Sequence, residues 1–225
     1  MITGNTKKYN KTLLACYLGF VTQAISANFV PLLFLTFYRD YGISLTELAL
    51  IPTCFYVTQL IVDLVCAKLV DKGGYRICIV ISEIASAVGL LGLAFLPDLL
   101  PSPFMGILLC TMIYAIGSGL IEVLCSPIVE AWPFENKERM MSLLHSFYCW
   151  GAVGVILGST LFFSLFGTGT WRILAGIWAL IPLYNIYNFA TCPIEPIVAD
   201  GKGMRISELF KTKIFWAFIL LMICA

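Results

Sequence analysis

The sequence predicts an all-helical integral membrane protein, and three observations lead to that reading. Apolar runs of about 20 residues or more, each long enough to cross a bilayer core as a helix, alternate with short polar connectors. Basic residues gather in every second connector: Lys7, Lys8 and Lys11, then Lys68, Lys72 and Arg76, then Lys137 and Arg139, then Lys202, Arg205, Lys211 and Lys213. The composition, 60% hydrophobic and 12% charged with a mean hydropathy of +0.93, supplies too little polar surface for a monomer in water.

The elements follow in order. The apolar runs cover residues 12–38, 48–67, 77–96, 104–131, 140–171 and 173–194, with a seventh starting at residue 214. The first is too long for the apolar core of a secretory signal and lacks a cleavage site, so it is a retained span. Ser44 or Thr46 with Glu47 opens the second as a cap and first-turn acid. Asp98 with Pro97, Pro101 and Pro103 separates the third from the fourth, and Pro133 closes the fourth. Short outer connectors place neighbouring spans antiparallel and side by side. Within the spans, Pro31, Pro52, Pro127 and Pro182 each remove a helical hydrogen bond, a defect tolerated where neighbouring helices or water satisfy the freed carbonyl, as at a cavity wall. Gly154 and Gly158, and likewise Gly117 and Gly119, are expected to let helices pack closely. Trp132, Trp171 and Tyr187 read as interfacial anchors.

The chain divides into a bundle over residues 1–190, a polar linker over 191–213 and the start of a seventh span over 214–225. That last run is too short to cross the membrane, so the sequence is expected to be a fragment of a longer protein. Twelve of the 14 basic residues lie on one face, which predicts a plasma-membrane protein with that face and the amino terminus in the cytoplasm. The basic residues set orientation rather than forming a nucleic-acid stripe. The nine cysteines include no C-x-x-C pair and fall mostly in apolar spans, as small hydrophobes do; no metal or cofactor is expected.

Glu122 is the first candidate for chemistry. It lies about ten residues from Trp132, or about 15 Å along a helix, which places it near the bilayer midplane. An ionised carboxylate there costs several kcal/mol unless it is paired, hydrated or protonated, so proton uptake and release is the natural chemistry. Asp63 and Glu83 are possible accessory charges that can reach toward the basic inner rim, and Glu130 is an interfacial or gating charge. His145, the only histidine, is either a proton relay or a helix-start residue facing the cytosol. Gln23, Asn28 and Asn185 are the substrate-binding candidates, with Gln59, Ser26, Tyr17, Tyr184, Tyr187 and Asn188 as further polar groups inside spans. Amides and phenols beside aromatic faces suit a neutral solute rich in hydroxyl groups.

The connector from Ala67 to Arg76 resembles the signature loop G-x-x-x-D-[RK]-x-G-x-[RK] of the major facilitator superfamily: Asp71, Lys72, Gly74 and Arg76 match, and Ala67 replaces the leading glycine. The resemblance implies one half of a twelve-helix transporter, a six-helix bundle of two inverted three-helix repeats completed by a missing carboxy-terminal half. It also implies a latch role for the loop. Glu122 to Pro127 and Phe147 to Gly151 are similar to the fourth- and fifth-helix motifs of the fucose/proton symporter group, with Ser126 and Tyr148 in place of asparagines and no acid between Lys11 and Arg39. The expected function is proton-coupled symport of a small neutral solute such as a monosaccharide, with substrate, protons and the bilayer as partners. The rivals are a drug/proton antiporter, whose fifth-helix Gly-Pro pair is missing, and a non-transporting truncated fragment. A membrane enzyme is not expected, since the chain has one histidine and neither an H-E-x-x-H nor a G-x-S-x-G motif.

Overall fold

The computed structural model describes residues 3–132, 136–194 and 211–217; the side chains of residues 3–9, 67–69, 71 and 72 lie outside that description. It is all-helical, with six helical segments long and apolar enough to cross a membrane: Asn10–Tyr41, Leu45–Cys66, Gly73–Leu93, Pro103–Glu130, Lys137–Phe166 and Thr168–Thr191. All six belong to one compact unit, Met1–Glu195.

Local chemistry sets the ends. Ser44 caps the second span: its hydroxyl accepts from the Glu47 amide at 3.3 Å while the Glu47 carboxylate accepts from the Ser44 amide at 2.9 Å, a complete capping box. Pro103 starts the fourth span at a position where its missing N–H is no loss, and a one-turn helix, Leu96–Leu99, occupies the proline-rich connector before it. The fifth span begins earlier than its apolar run because Lys137 and Glu138 lie in its polar first turn, which hydropathy does not register. Gly167 ends it at φ 79° and ψ 158°, a backbone region open almost only to glycine.

The connector between the second and third spans is not an open loop. Helical geometry runs from Leu45 to Leu93, and Gly74, at φ 74° and ψ 158°, is the residue that leaves it. In the first span, Pro31 forces a tighter 3-10 turn over Val30–Leu33 between the helices Thr3–Asn28 and Phe34–Tyr41.

Packing departs from simple side-by-side order. The fifth span packs mainly on the first, and the sixth on the third and first, so sequence neighbours among the last three spans touch little. Small residues decide this. A Cβ at Gly151 would stand 3.0 Å from Ala24 Cβ and 3.2 Å from Val21 Cα, and one at Gly89 would stand 2.8 Å from the Tyr114 amide nitrogen. Gly117 sits directly against Ser86 Oγ and Ser82 O. Gly154, expected at a tight crossing, has nothing within 4 Å of a built Cβ; its partner Gly158 rests on the Trp178 ring. Trp171 and Trp132, read as interfacial anchors, stand at the ends of their spans and are buried within the bundle, Trp171 edge-on to Phe37 at 5.3 Å.

Polar contacts close both ends of the bundle. At one end Arg172 pairs with Asp98 at 2.7 Å and donates to the Tyr41 hydroxyl at 2.8 Å, tying the first span and the 3–4 connector to the start of the sixth span. At the other, Arg76 donates to the carbonyls of Phe189 and Ala190, both at 3.0 Å, and Lys11 to Thr191 Oγ1 at 2.6 Å. A guanidinium there meets the carbonyl-rich, partly negative end of the sixth helix.

Candidate functional site

The first, second, fourth and fifth spans enclose an open cavity of about 390 Å³. Each span contributes residues at helical spacing: Phe20, Gln23 and Ala27 from the first; Phe55, Tyr56 and Gln59 from the second; Ser118 and Glu122 from the fourth; His145, Tyr148 and Cys149 from the fifth. Positions three and four apart share one helix face, so a polar residue aimed at the cavity brings its neighbours with it. A smaller pocket of about 70 Å³ shares Ala27, Phe55 and Tyr56 and is walled by Pro31 and Pro52, two of the kinking prolines.

Glu122 is the charged centre of the cavity. Its Oε2 accepts from Gln23 Nε2 at 2.9 Å and from Gln59 Nε2, so amides from the first and second spans hold the carboxylate from the fourth. The side chain is exposed to the cavity, and the one ion pair among the described residues is the distant Arg172–Asp98 contact. A hydrogen bond to a charged group contributes about 1.5–3 kcal/mol, enough for the two amides to orient this carboxylate without neutralising it. His145 stands edge-on to Phe20 at 5.3 Å and lines the cavity, two turns into its helix. Tyr17, also on the first span, stacks on Phe147 at 4.2 Å.

The sequence candidates separate into two groups. Gln23, Glu122 and His145 come together in the cavity, and Asp63 lies beside them on the second span, one turn beyond Gln59, within electrostatic reach of Glu122. Asn185 is elsewhere. It is wholly buried in the bundle core, where its Nδ2 donates to Glu83 Oε1 at 2.7 Å and to Ala15 O at 2.9 Å, so it does not touch the cavity. Glu83, expected to reach the basic rim, is 0% exposed and held by Asn185 and by Thr22 Oγ1 at 3.1 Å. Asn28 turns its amide back to Ala24 O at 2.8 Å, beside Tyr148 at the cavity edge. Glu130 is exposed at the end of the fourth helix, where its backbone carbonyl accepts from Lys137. Of the loop motif, Gly74 makes the turn and Arg76 caps the sixth helix, while the side chains of Asp71 and Lys72 lie outside the described residues.

Sequence reasoning passed over Phe20, Phe55, Tyr56, Ser118 and Cys149 as lining. Helical spacing from Gln23, Gln59, Glu122 and His145 points to every one of them. Among the described residues no group of three or more His, Cys, Asp or Glu side chains could hold a metal ion, and the eight described cysteines are free thiols.

Three comparisons with known proteins place this architecture. The family model described as Major Facilitator Superfamily matches residues 15–225. No curated protein matches the chain. Among solved structures, the chain is similar in fold to the proton:xylose symporter XylE bound to 6-bromo-6-deoxy-D-glucose, with a TM-score of 0.74 and 15% sequence identity; the match covers 84% of this chain and 46% of that one. The chain therefore spans about half the length of the solved structure it matches.

Proposed function

The chain belongs to the Major Facilitator Superfamily, and from that premise we propose that it forms the amino-terminal half of a proton-coupled symporter for a small neutral solute, with a monosaccharide as the substrate class. The observation that carries this reading is the Glu122 carboxylate, held by two amides, in no ion pair among the described residues and open to a cavity lined by aromatic side chains. Such a group can be neutral in one state and charged in another as the cavity changes its access to water. The rings of Tyr56 and Tyr148, backed by the buried Phe20 and Phe55, give the C–H side of a sugar an aromatic wall, and Gln23, Gln59 and His145 offer donors and acceptors for its hydroxyls.

In this reading residues 1–190 are the first six-helix bundle, 191–213 a cytoplasmic linker and 214–225 the start of a second bundle that completes the pathway. The twelve basic residues of one face orient the amino terminus toward the cytoplasm of a plasma membrane. Gly74 and Arg76 serve as part of a latch on the end of the sixth helix, with Asp71 and Lys72 beside them.

The test is uptake by the whole transporter in liposomes with an imposed pH gradient and a panel of labelled sugars. Wild-type protein is expected to accumulate one of them against its gradient. Glu122→Gln should still equilibrate the sugar but fail to concentrate it, and uphill uptake at the wild-type level in that variant would refute the coupling role. Expulsion of an apolar cation in exchange for protons would favour the antiporter instead.

A further inference from the structure

Three oxygen atoms beside Glu122 have no partner among the described residues: Gln23 Oε1, Ser118 Oγ and Asp63 Oδ1, each buried. Gln23 is 7% exposed and Ser118 0%, and both line the cavity. The Gln23 amide nitrogen is committed to Glu122, which leaves its oxygen as a bare acceptor close to that carboxylate. Ser118 lies one helical turn before Glu122 on the same face. Asp63 packs on the intervening residue: a Cβ at Gly119 would stand 3.3 Å from its Oδ1. A glycine at position 119 thus allows the second span to bring a carboxylate against the fourth.

Each buried acceptor without a donor forfeits the hydrogen bonds it makes in water, a greater loss where it is charged. A single proton relieves one of them. A hard cation that takes oxygen ligands relieves several together and compensates two carboxylates besides. The ligand set is an amide oxygen, a hydroxyl and two carboxylates, fewer than the six to eight oxygens typical of calcium and without the nitrogen or sulfur that transition metals favour. His145 is the remaining ionisable group of the cavity wall apart from Tyr56, Tyr148 and Cys149, and it approaches from the fifth span, on the Phe20 side.

We infer that Gln23, Asp63, Ser118 and Glu122 form a binding site for a small monovalent cation, sodium, within the substrate cavity. The inference rests on the reading of Glu122 as the coupling carboxylate and adds a second coupling ion to it. Sodium would bridge the first, second and fourth spans, so its binding would draw together the walls that contact substrate.

The test uses the whole purified transporter. Thermal unfolding, followed by tryptophan fluorescence, is compared in sodium chloride and choline chloride at one pH and constant ionic strength. Sodium is expected to raise the midpoint saturably, as any ligand of the folded state does. Ser118→Ala and Asp63→Asn should each raise the half-saturating concentration at least tenfold. Equal midpoints for the wild type in the two salts would overturn the site, and that arm needs no variant to fold. A sodium effect that survives unchanged in both variants would overturn its assignment to these residues. Failure of the proton reading is read separately, from uphill uptake by Glu122→Gln under a pH gradient without sodium.

Discussion

Gln23 and Gln59 present their amides to one oxygen of Glu122 from two different helices, and each is worth a charge-assisted hydrogen bond. Gln59→Leu removes one donor and keeps the bulk. Uphill uptake is expected to fall roughly tenfold, in keeping with about 1.5 kcal/mol of lost orientation, while the amount of folded protein stays near wild type. Asn185 calls for the opposite outcome. Its amide serves a side chain with no exposure at all, so Asn185→Leu leaves Glu83 in the core with Thr22 as its one described donor and should cost about 3 kcal/mol in an unfolding measurement. The sequence made Glu122 conspicuous, because an acid deep in an apolar run is costly wherever it points. It could not separate Gln23 from Asn185. Both are amides inside spans, and only the three-dimensional pairing of the first span with the fourth, and of the sixth with the third, sends one to the cavity and the other to the core.

At the level of helices, glycines that look alike in sequence carry very different loads. Gly117 meets Ser86 Oγ and the Ser82 carbonyl so closely that Gly117→Ala must push the third and fourth spans apart, and the variant is expected to lose most of its folded yield in a detergent-solubility assay. Gly154→Ala meets open space within a helix. It should leave stability unchanged or raise it by up to about 1 kcal/mol, the difference in helix propensity, in a thermal unfolding comparison. Gly74→Ala would place a Cβ in a backbone region nearly closed to L residues, at a cost of about 1–3 kcal/mol. The Ser44–Glu47 cap and the proline-rich break around Asp98 were legible because they depend on residues a few positions apart. The Gly154–Gly158 pattern was legible only in part: Gly158 meets Trp178 of the sixth span while Gly154 faces open space, because spacing identifies a small-residue face but not which of its positions another helix covers.

For the bundle as a whole, hydropathy and the alternation of basic residues revealed all six spans, since burial in lipid depends on the run and not on its neighbours. Which spans touch was hidden, being set by fits such as Gly151 against Ala24 that join distant parts of the chain. The two ends are fastened differently. The exposed Arg172–Asp98 pair adds at most about 1 kcal/mol, so Asp98→Asn should barely move the unfolding midpoint. Arg76 instead grips the free carbonyls of a helix end across the turn at Gly74. Arg76→Gln is expected to slow the transport cycle severalfold while equilibrium substrate binding stays within about twofold, measured by initial uptake rate beside isothermal titration; a matched loss of both would argue against a latch.

Cys149 has a practical consequence. It is the exposed member of the eight described cysteines, and it stands in the cavity wall one turn beyond His145 and next to Tyr148. The protein thus carries a native chemical reporter in its cavity wall: under the proposed function, a maleimide should alkylate Cys149 when the cavity is wet and be excluded when a bound solute fills it, so labelling follows access to the cavity without any engineered label.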